Sequence, residues 1–481
     1  MKDVTIIGGG VIGCLTARAL SHFALDICLL ERRHDVSSET SKANSAIVHA
    51  GFDAKLGSAK ARFNVLGNAM MEQTCKDLDV HFVRNGSMLL AFDDAQRDTL
   101  ADILVRGRQN GVPGLSILTG DEARALEPNI SKEVVAVLRA ETGGIVCPYM
   151  LTHNAAQNAA ENGVKILRNT AATSITWNGE FFVITTNNGT IETKYIINAA
   201  GLHADAVARM AGDDSISIRP RRGEYMLMDK AVGSLVSHTV FQTPTKMGKG
   251  ILVTPTVDGN LLIGPNATDS DDKTDFDTTT EGLDQVFTGA CQSVPTLSKR
   301  TIITSFTGLR AVSDNDDFVI GFSEKVPNFL HLAGIQSPGL SAAPAIAGHA
   351  ADLIGGRIAG IQKNPSFNPC IAPKPRIMEI STDELHALIQ TNPQYGSIVC
   401  RCETVSEGEI VDSIQCKCGA HDLDGVKRRT RAGMGRCQGG FCMPRVLEIL
   451  VRETGYGFVD IQKNEDGSYI LTGDTKGGAV K

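Results

Sequence analysis

No apolar run in the 481 residues is long enough to cross a bilayer, so no transmembrane segment is expected. Basic residues are not in excess. The net charge of −7 argues against a general nucleic-acid binder. There is no internal repeat and no low-complexity tract. The chain opens directly on a strand-like run, without the charged and apolar leader of a signal peptide. The expected compartment is therefore the cytoplasm, with any membrane contact made through partner subunits.

What is present is an ordinary globular composition, 42% hydrophobic and 21% charged, on a chain long enough for two or three domains. There are 12 cysteines. In the cytoplasm these point to metal or redox chemistry rather than disulfides. Cys14, Cys28, Cys75, Cys147, Cys291 and Cys370 are scattered, whereas Cys400, Cys402, Cys416, Cys418, Cys437 and Cys442 crowd one region.

The most informative stretch comes first. Asp3–Ile7 reads as a buried strand. Gly8-Gly-Gly-Val-Ile-Gly13 and an apolar-periodic helix to about Phe23 follow, and a second strand, Asp26–Leu30, ends at Glu31. Strand, G-x-G-x-x-G, helix, strand and acid, in that order, form a dinucleotide fingerprint. Gly8 allows the tight turn, Gly10 lets the backbone approach a pyrophosphate, and Gly13 lets the helix pack on the strand. The helix N-terminus offers free N–H groups to phosphates. Glu31 suits two ribose hydroxyls.

Small residues then surround a histidine in Ser41–Gly51, where His49 is a candidate general base, a flavin-facing donor or a buried structural histidine. Helices are expected at Ala59–Leu78, Ala95–Asn110 and Pro148–Asn162, and a capping box at Thr119–Glu122. Asn178-Gly179 marks a hairpin. Residues from about 215 to 321 read as an antiparallel sheet carrying Arg221, Arg222, Lys246, Lys249 and Arg310. Lys249 lies between glycines and Arg310 within Gly308-Leu-Arg-Ala, which suits close approach of a small anion. A second Gly-rich strand-to-helix turn, Gly334-Ile-Gln-Ser-Pro-Gly-Leu-Ser341, precedes an Ala-rich helix. The Gly- and Pro-rich stretch after it reads as a linker.

Residues 1–360 resemble the D-amino-acid oxidase superfamily of FAD-dependent oxidoreductases. The resemblance rests on Val4–Gly13, Ser45–Gly51, Ile197–Gly201 and Gly334–Ser341. Asn44-Ser45 and His49-Ala-Gly51 are similar to the branch of glycerol-3-phosphate dehydrogenases and L-2-hydroxyglutarate dehydrogenases. The resemblance implies an α/β fold: a Rossmann-like FAD-binding domain with an inserted antiparallel-sheet substrate domain. The FAD-binding parts would span about 1–85, 145–214 and 322–360, and the substrate domain about 86–144 and 215–321. FAD would be noncovalent. Gly8, Gly10, Gly13 and Glu31 would hold its ADP half, and Asn44 and Ser45 would line the flavin. Gly201 sits where such proteins return to the cofactor. Gly334, Gly339 and Leu340 would lie near the pyrimidine end, with Ser341 beneath. Arg310 would grip the substrate anion, helped by Lys249 and, as a weaker second arginine, Arg222. His49 would take the hydroxyl proton.

Cys400-Arg-Cys402 and Cys437-Gln-Gly-Gly-Phe-Cys442 supply four thiolates for a [2Fe–2S] cluster or zinc, and the spacing favours iron–sulfur. Cys416-Lys-Cys418 competes. The flanking residues resemble the bacterioferritin-associated-ferredoxin-like [2Fe–2S] module, which implies ligation by Cys400, Cys402, Cys437 and Cys442. A linker at 361–378 would join this module, 379–481. The run Lys427–Arg431 reads as a solvated basic face, with a docking patch or charges that raise the cluster potential as the alternatives.

A flavin domain fused to such a module resembles the anaerobic-type glycerol-3-phosphate dehydrogenases. This implies oxidation of glycerol 3-phosphate, with electrons passing through the cluster to a partner flavoprotein or a quinone-linked subunit. The alternatives are a 2-hydroxy acid such as L-2-hydroxyglutarate, an amine or imino acid, or a flavin and iron–sulfur electron-transfer protein that is not an enzyme.

Overall fold

The structure, a computed structural model, describes residues 1–244, 250–465 and 467–473. Lys246 and Lys249 fall outside these.

The first strand, Lys2–Ile7, buries its last four residues and sits at the centre of an eight-stranded sheet. It pairs in parallel with Gly189–Asn198 on one side and Ile27–Leu30 on the other. Lys165–Leu167 extends one edge. The hairpin Ala172–Trp177 and Phe182–Thr186 extends the other, turning at Asn178-Gly179 as expected. Phe329–Ala333 joins in parallel at the C-terminal end of Gly189–Asn198. Helices Val11–Leu20, Pro148–Glu161 and Gly339–Gly355 cover the sheet, and Ala59–Asp77 packs on the last of these. Their shared core includes Val4, Ile6, Leu20, Leu29, Leu151 and Ile346. This is the α/β dinucleotide-binding architecture.

A second sheet of nine strands is built from two separate stretches of chain. Ser87–Ala91, Leu115–Thr119 and Ala136–Ala140 come from one, and the strands between Ile218 and Ser313 from the other. It is antiparallel, as expected, except at the seam where Ser87–Ala91 meets Thr239–Gln242 in parallel. No hairpin turn joins those two strands, so no turn dictates their direction. The sequence reading treats 215–321 as sheet throughout, but the structure inserts a helix there, Thr280–Ser293. Leu283, Val286, Phe287 and Ala290 recur at helical spacing and pack into the second core. Thr279 caps it by accepting the N–H of Gly282.

The C-terminal part is a short hairpin, Ile398–Cys400 with Val405–Ser406, surrounded by helices Glu407–Gln415, Leu423–Thr430 and Met443–Thr454. Val405, Ile410, Val426, Ile449 and Leu450 form a core of its own. The Pro-rich stretch before it is strapped to the first domain rather than looped out. Asn364 donates its backbone N–H to His22 O and Ile371 to Asp77 O, and Ile371 and Ile377 are buried. Arg376 clasps Asp79 at 2.8 Å.

The run Lys427–Arg431 corrects its sequence reading. Arg428 and Arg429 are turned inward, with side chains 4% and 6% exposed, and both pair with the buried Asp35 of the first domain. Arg431 bonds Asp258 of the nine-stranded sheet and Glu403 beside the cysteine hairpin. A buried counter-charge from a remote part of the chain is what draws these arginines out of solvent.

Candidate functional site

One cavity of about 740 Å³ runs between the two sheets. Its wall begins at Gly10–Ile12, follows the loop Thr40–Ser45 to His49, and reaches Pro338–Leu340; the nine-stranded sheet adds Arg221, Tyr225 and Arg310. Backbone conformation builds the first end. Gly8 takes φ +117°, and a Cβ there would stand 2.3 Å from Ala199 O. A Cβ on Gly13 would stand 1.9 Å from Gly8 O, so helix Val11–Leu20 can seat on its turn only with glycine. Gly10 is the N-cap and brings no side chain of its own, while the hydroxyl of Ser41, in the cavity wall, accepts the N–H of Val11 at 2.9 Å. Helix Gly339–Gly355 also reaches the cavity without a side-chain cap. Two helix N-termini whose N-cap residues make no side-chain bond face one elongated cavity, which fits a ligand that carries anions or acceptors at separate points.

Glu31 lies behind the first turn. Its carboxylate accepts the N–H groups of Gly9 (2.8 Å) and Arg33 (2.7 Å). Burial pushes it up to about 7 against those two bonds. Asn44 lines the cavity and braces its loop, donating to Thr40 O and Ser41 O and accepting from Ala46 N–H. Ser45 and Gly201 are also in the wall, Gly201 at φ +54°. Gly334 is not. It lets its turn pass Ser313, where a Cβ would approach to 2.7 Å. Ser341 stands behind the wall, fully buried, and its hydroxyl accepts the backbone N–H of His49 at 2.7 Å.

His49 follows the short strand Ile47–Val48, which pairs with Gly144–Val146. Its carbonyl accepts from Asn68. Its ring lies 5.7 Å from that of Phe241, with Nε2 3.4 Å from Ser337 Oγ. On the other sheet Arg310 and Arg221 are directly opposed in register, so both side chains project from one face. Arg310 donates to Asn266 O at 3.0 Å, and Gly223 leaves it room, since a Cβ there would stand 2.6 Å from Nη2. Arg222 points elsewhere and pairs with Asp275 at 2.7 Å. Arg221, paired with Asp269, takes its place in the wall. Strand alternation is the signal that distinguishes them, once Arg310 is known to face the cavity.

The cysteine hairpin brings Cys400, Cys402, Cys437 and Cys442 to one end of the C-terminal module. Cys402 and Cys437 sulfurs are 3.7 Å apart. Cys400 pairs with Cys442, and that contact, helped by backbone N–H groups of Gly433, Glu403 and Cys402, pulls the Cys400 thiol down to about 6. The backbone N–H of Phe441, then the Cys402 thiol and the N–H groups of Gly439 and Gly440, draw the Cys437 thiol down against burial. Among the described residues no three His, Cys, Asp or Glu side chains converge on a single-ion site. Two thiol pairs ringed by N–H donors fit a cluster with two irons. Cys418 instead packs into the core of the first domain, and Cys416 Sγ contacts Ser413 O.

Residues 3–353 match the model of the FAD dependent oxidoreductase (DAO) family. The chain belongs to that family. Residues 398–452 of this oxidoreductase match the BFD-like [2Fe-2S] binding domain. Its cofactors are FAD and a [2Fe–2S] cluster. The oxidoreductase is 49% identical over 476 residues to a glycerol 3-phosphate dehydrogenase of Caloramator mitchellensis, covering 99% of each chain. It is 34% identical to a glycerol 3-phosphate oxidase of Mycoplasma pneumoniae, over 76% of this chain and 97% of that one. Among solved structures it resembles the dithionite-reduced, FAD-bound L-alpha-glycerophosphate oxidase of Mycoplasma pneumoniae. The TM-score is 0.74 at 34% identity, covering 78% of this chain and 99% of that one. Among the described residues no helix is long and apolar enough to cross a membrane.

Proposed function

We propose that the protein oxidises sn-glycerol 3-phosphate to dihydroxyacetone phosphate. The end-to-end likeness to a glycerol 3-phosphate dehydrogenase carries the substrate, and the cavity suits it chemically. A small phosphorylated polyol needs a cationic fork for its anion and a proton acceptor at its hydroxyl. Arg310 is the fork, aimed by Asn266 O, with Lys249 as second cation. His49 takes the proton from the C2 hydroxyl, held in place by its backbone bonds to Ser341 and Asn68. FAD supplies the hydride acceptor and the [2Fe–2S] cluster a one-electron store. Gly8, Gly10, Gly13 and Glu31 grip the ADP half. Asn44, Ser45, Gly201, Gly339 and Leu340 border the ring system, with Gly334 and Ser341 shaping the turn behind it. Cys400, Cys402, Cys437 and Cys442 hold the cluster.

The same reading divides the chain into FAD-binding parts (1–85, 145–214, 322–360), a substrate part (86–144, 215–321), a connector (361–378) and the cluster module (379–481). The two sheets support that division. Electrons leave to a partner flavoprotein or a quinone-linked subunit rather than to dioxygen. In support, the Mycoplasma oxidase is accounted for almost completely by three quarters of this chain, which leaves it no room for a matching cluster module.

The test is anaerobic bleaching of the flavin by glycerol 3-phosphate, L-2-hydroxyglutarate, L-lactate and proline. Fast bleaching by glycerol 3-phosphate alone is expected. Bleaching by a hydroxy acid instead moves the substrate to the related branch, and no bleaching by any of the four defeats the reading. Hydrogen peroxide formed in step with substrate under air would defeat the choice of acceptor.

A further inference from the structure

The loop after Glu31 belongs to two sites at once. Toward the cavity, Ser37 donates its backbone N–H to Gly9 O at 2.9 Å, which ties the loop to the glycine turn. A few residues on, the same stretch becomes the cavity wall at Thr40–Ser45. Away from the cavity, Asp35 is buried against the C-terminal module. Its Oδ2 accepts from Arg428 Nη2 (2.9 Å) and Arg429 Nη1 (2.6 Å), and its Oδ1 from Arg429 Nη2 (2.8 Å). Arg168 Nη1 and His153 Nδ1 stand farther off, at 3.6 and 3.9 Å. Arg429 and Arg168 also donate to Cys418 O and Gly419 O of the module. Lys42, in the wall loop, is half-buried and feels the charge of Arg428. Residues 31–45 are thus sandwiched between the cavity and helix Leu423–Thr430.

We propose that Asp35 is a positioning residue that couples cofactor binding to docking of the cluster module. Undocking would strip Asp35 of its two hydrogen-bonded guanidinium groups, leaving it only the more distant Arg168 and His153, and would take from Arg428 and Arg429 the carboxylate they share, so the pair favours one fixed seat. A cofactor that orders residues 8–45 holds Asp35 in that seat, and by linkage the docked module holds the loop for the cofactor. The cluster is then fixed relative to the flavin only while the flavin is bound. The proposal rests on the assignment of residues 8–45 to the dinucleotide and is independent of the substrate.

The experiment is hydrogen exchange on the full-length, cluster-loaded protein, stripped of FAD and then refilled. In the wild type, FAD should slow exchange in residues 8–45 and also, by about fivefold or more, in Leu423–Thr430. Asp35→Asn should keep the first protection and lose the second. Its Kd for FAD should rise by the same factor, because the coupling is reciprocal. Arg429→Lys keeps the charge but gives up the paired N–H donors, and should fall between. If FAD protects 8–45 but not 423–430 in the wild type, or if Asp35→Asn retains both protections, the coupling is wrong. If Asp35→Asn does not fold, Arg429→Lys decides, and wild-type protection there overturns the proposal. If FAD protects neither stretch, the assignment of 8–45 fails as well.

Discussion

His49 donates its backbone N–H to the hydroxyl of Ser341, 292 residues later in the chain. The candidate base and the first turn of helix Gly339–Gly355 are therefore one mechanical unit. The same hydroxyl is also within reach of Ile47 O, at 3.4 Å. Ser341→Ala leaves a buried N–H without its acceptor, which costs about 1–3 kcal/mol. Its kcat should fall while KM for glycerol 3-phosphate changes little. Thermal melts and steady-state kinetics read both. A wild-type kcat with a lowered Tm would show that the bond is only structural.

His49→Gln should slow flavin reduction by about 10²–10⁴-fold, the usual worth of a positioned general base. Substrate Kd from the flavin spectrum should stay near that of the wild type. Stopped-flow bleaching measures the rate, and comparable rates in the two proteins would remove His49 from this role.

The space above Gly223 is filled by the Arg310 guanidinium. Gly223→Ala should displace that group and raise KM for glycerol 3-phosphate about tenfold, equivalent to ~1.4 kcal/mol of anion binding. The effect on kcat should be smaller. Arg310→Lys keeps the charge but not the fork and should also raise KM. Unchanged KM in both variants would place the phosphate elsewhere.

The Glu31 carboxyl is pushed by burial from 4.5 up to about 7. Between those values the folded protein keeps a proton that the unfolded chain has lost. Glu31 therefore contributes stability below pH 4.5 that is lost as the pH rises through 7. In FAD-free protein, Glu31→Gln should flatten the fall in Tm between about pH 5 and about pH 8. Parallel melting curves for variant and wild type would contradict this.

Cys402→Ser or Cys437→Ser should abolish iron and sulfide retention and the cluster's visible absorption. Cys416→Ala and Cys418→Ala should retain them, though Cys418→Ala will lower Tm because that thiol is packed in the first core. Loss of iron in the Cys416 variant would reassign the ligands.

The parts legible in sequence are those that local sterics decide. The turn at Gly8–Gly13, the cap at Thr119 and the helix start at Pro148 are set by residues a few positions apart, and they stand where the sequence puts them. Face and partner are less legible. Arg221 and Arg222 are neighbours in sequence; which of them meets the cavity is set by pairing with Ile302–Ser313, remote in the chain. Likewise nothing near Lys427–Arg431 announces a buried acid, because Asp35 lies 393 positions before Arg428. Helix Thr280–Ser293 was within reach, since its apolar spacing is helical, but it sits among β-like runs that mask it.

The connector between Ile358 and Ile377 hydrogen-bonds along the first domain and buries Ile371 and Ile377 on its way. A free tether of that length would make the cluster a diffusing partner, met at an effective concentration that depends on linker length. A pinned connector acts as a splint. Lengthening it with a flexible insert at the exposed turn 359–360, ahead of the pinned Gln362 and Asn364, should change little, whereas cutting Arg376 from Asp79 should turn a fixed internal circuit into an intermittent one.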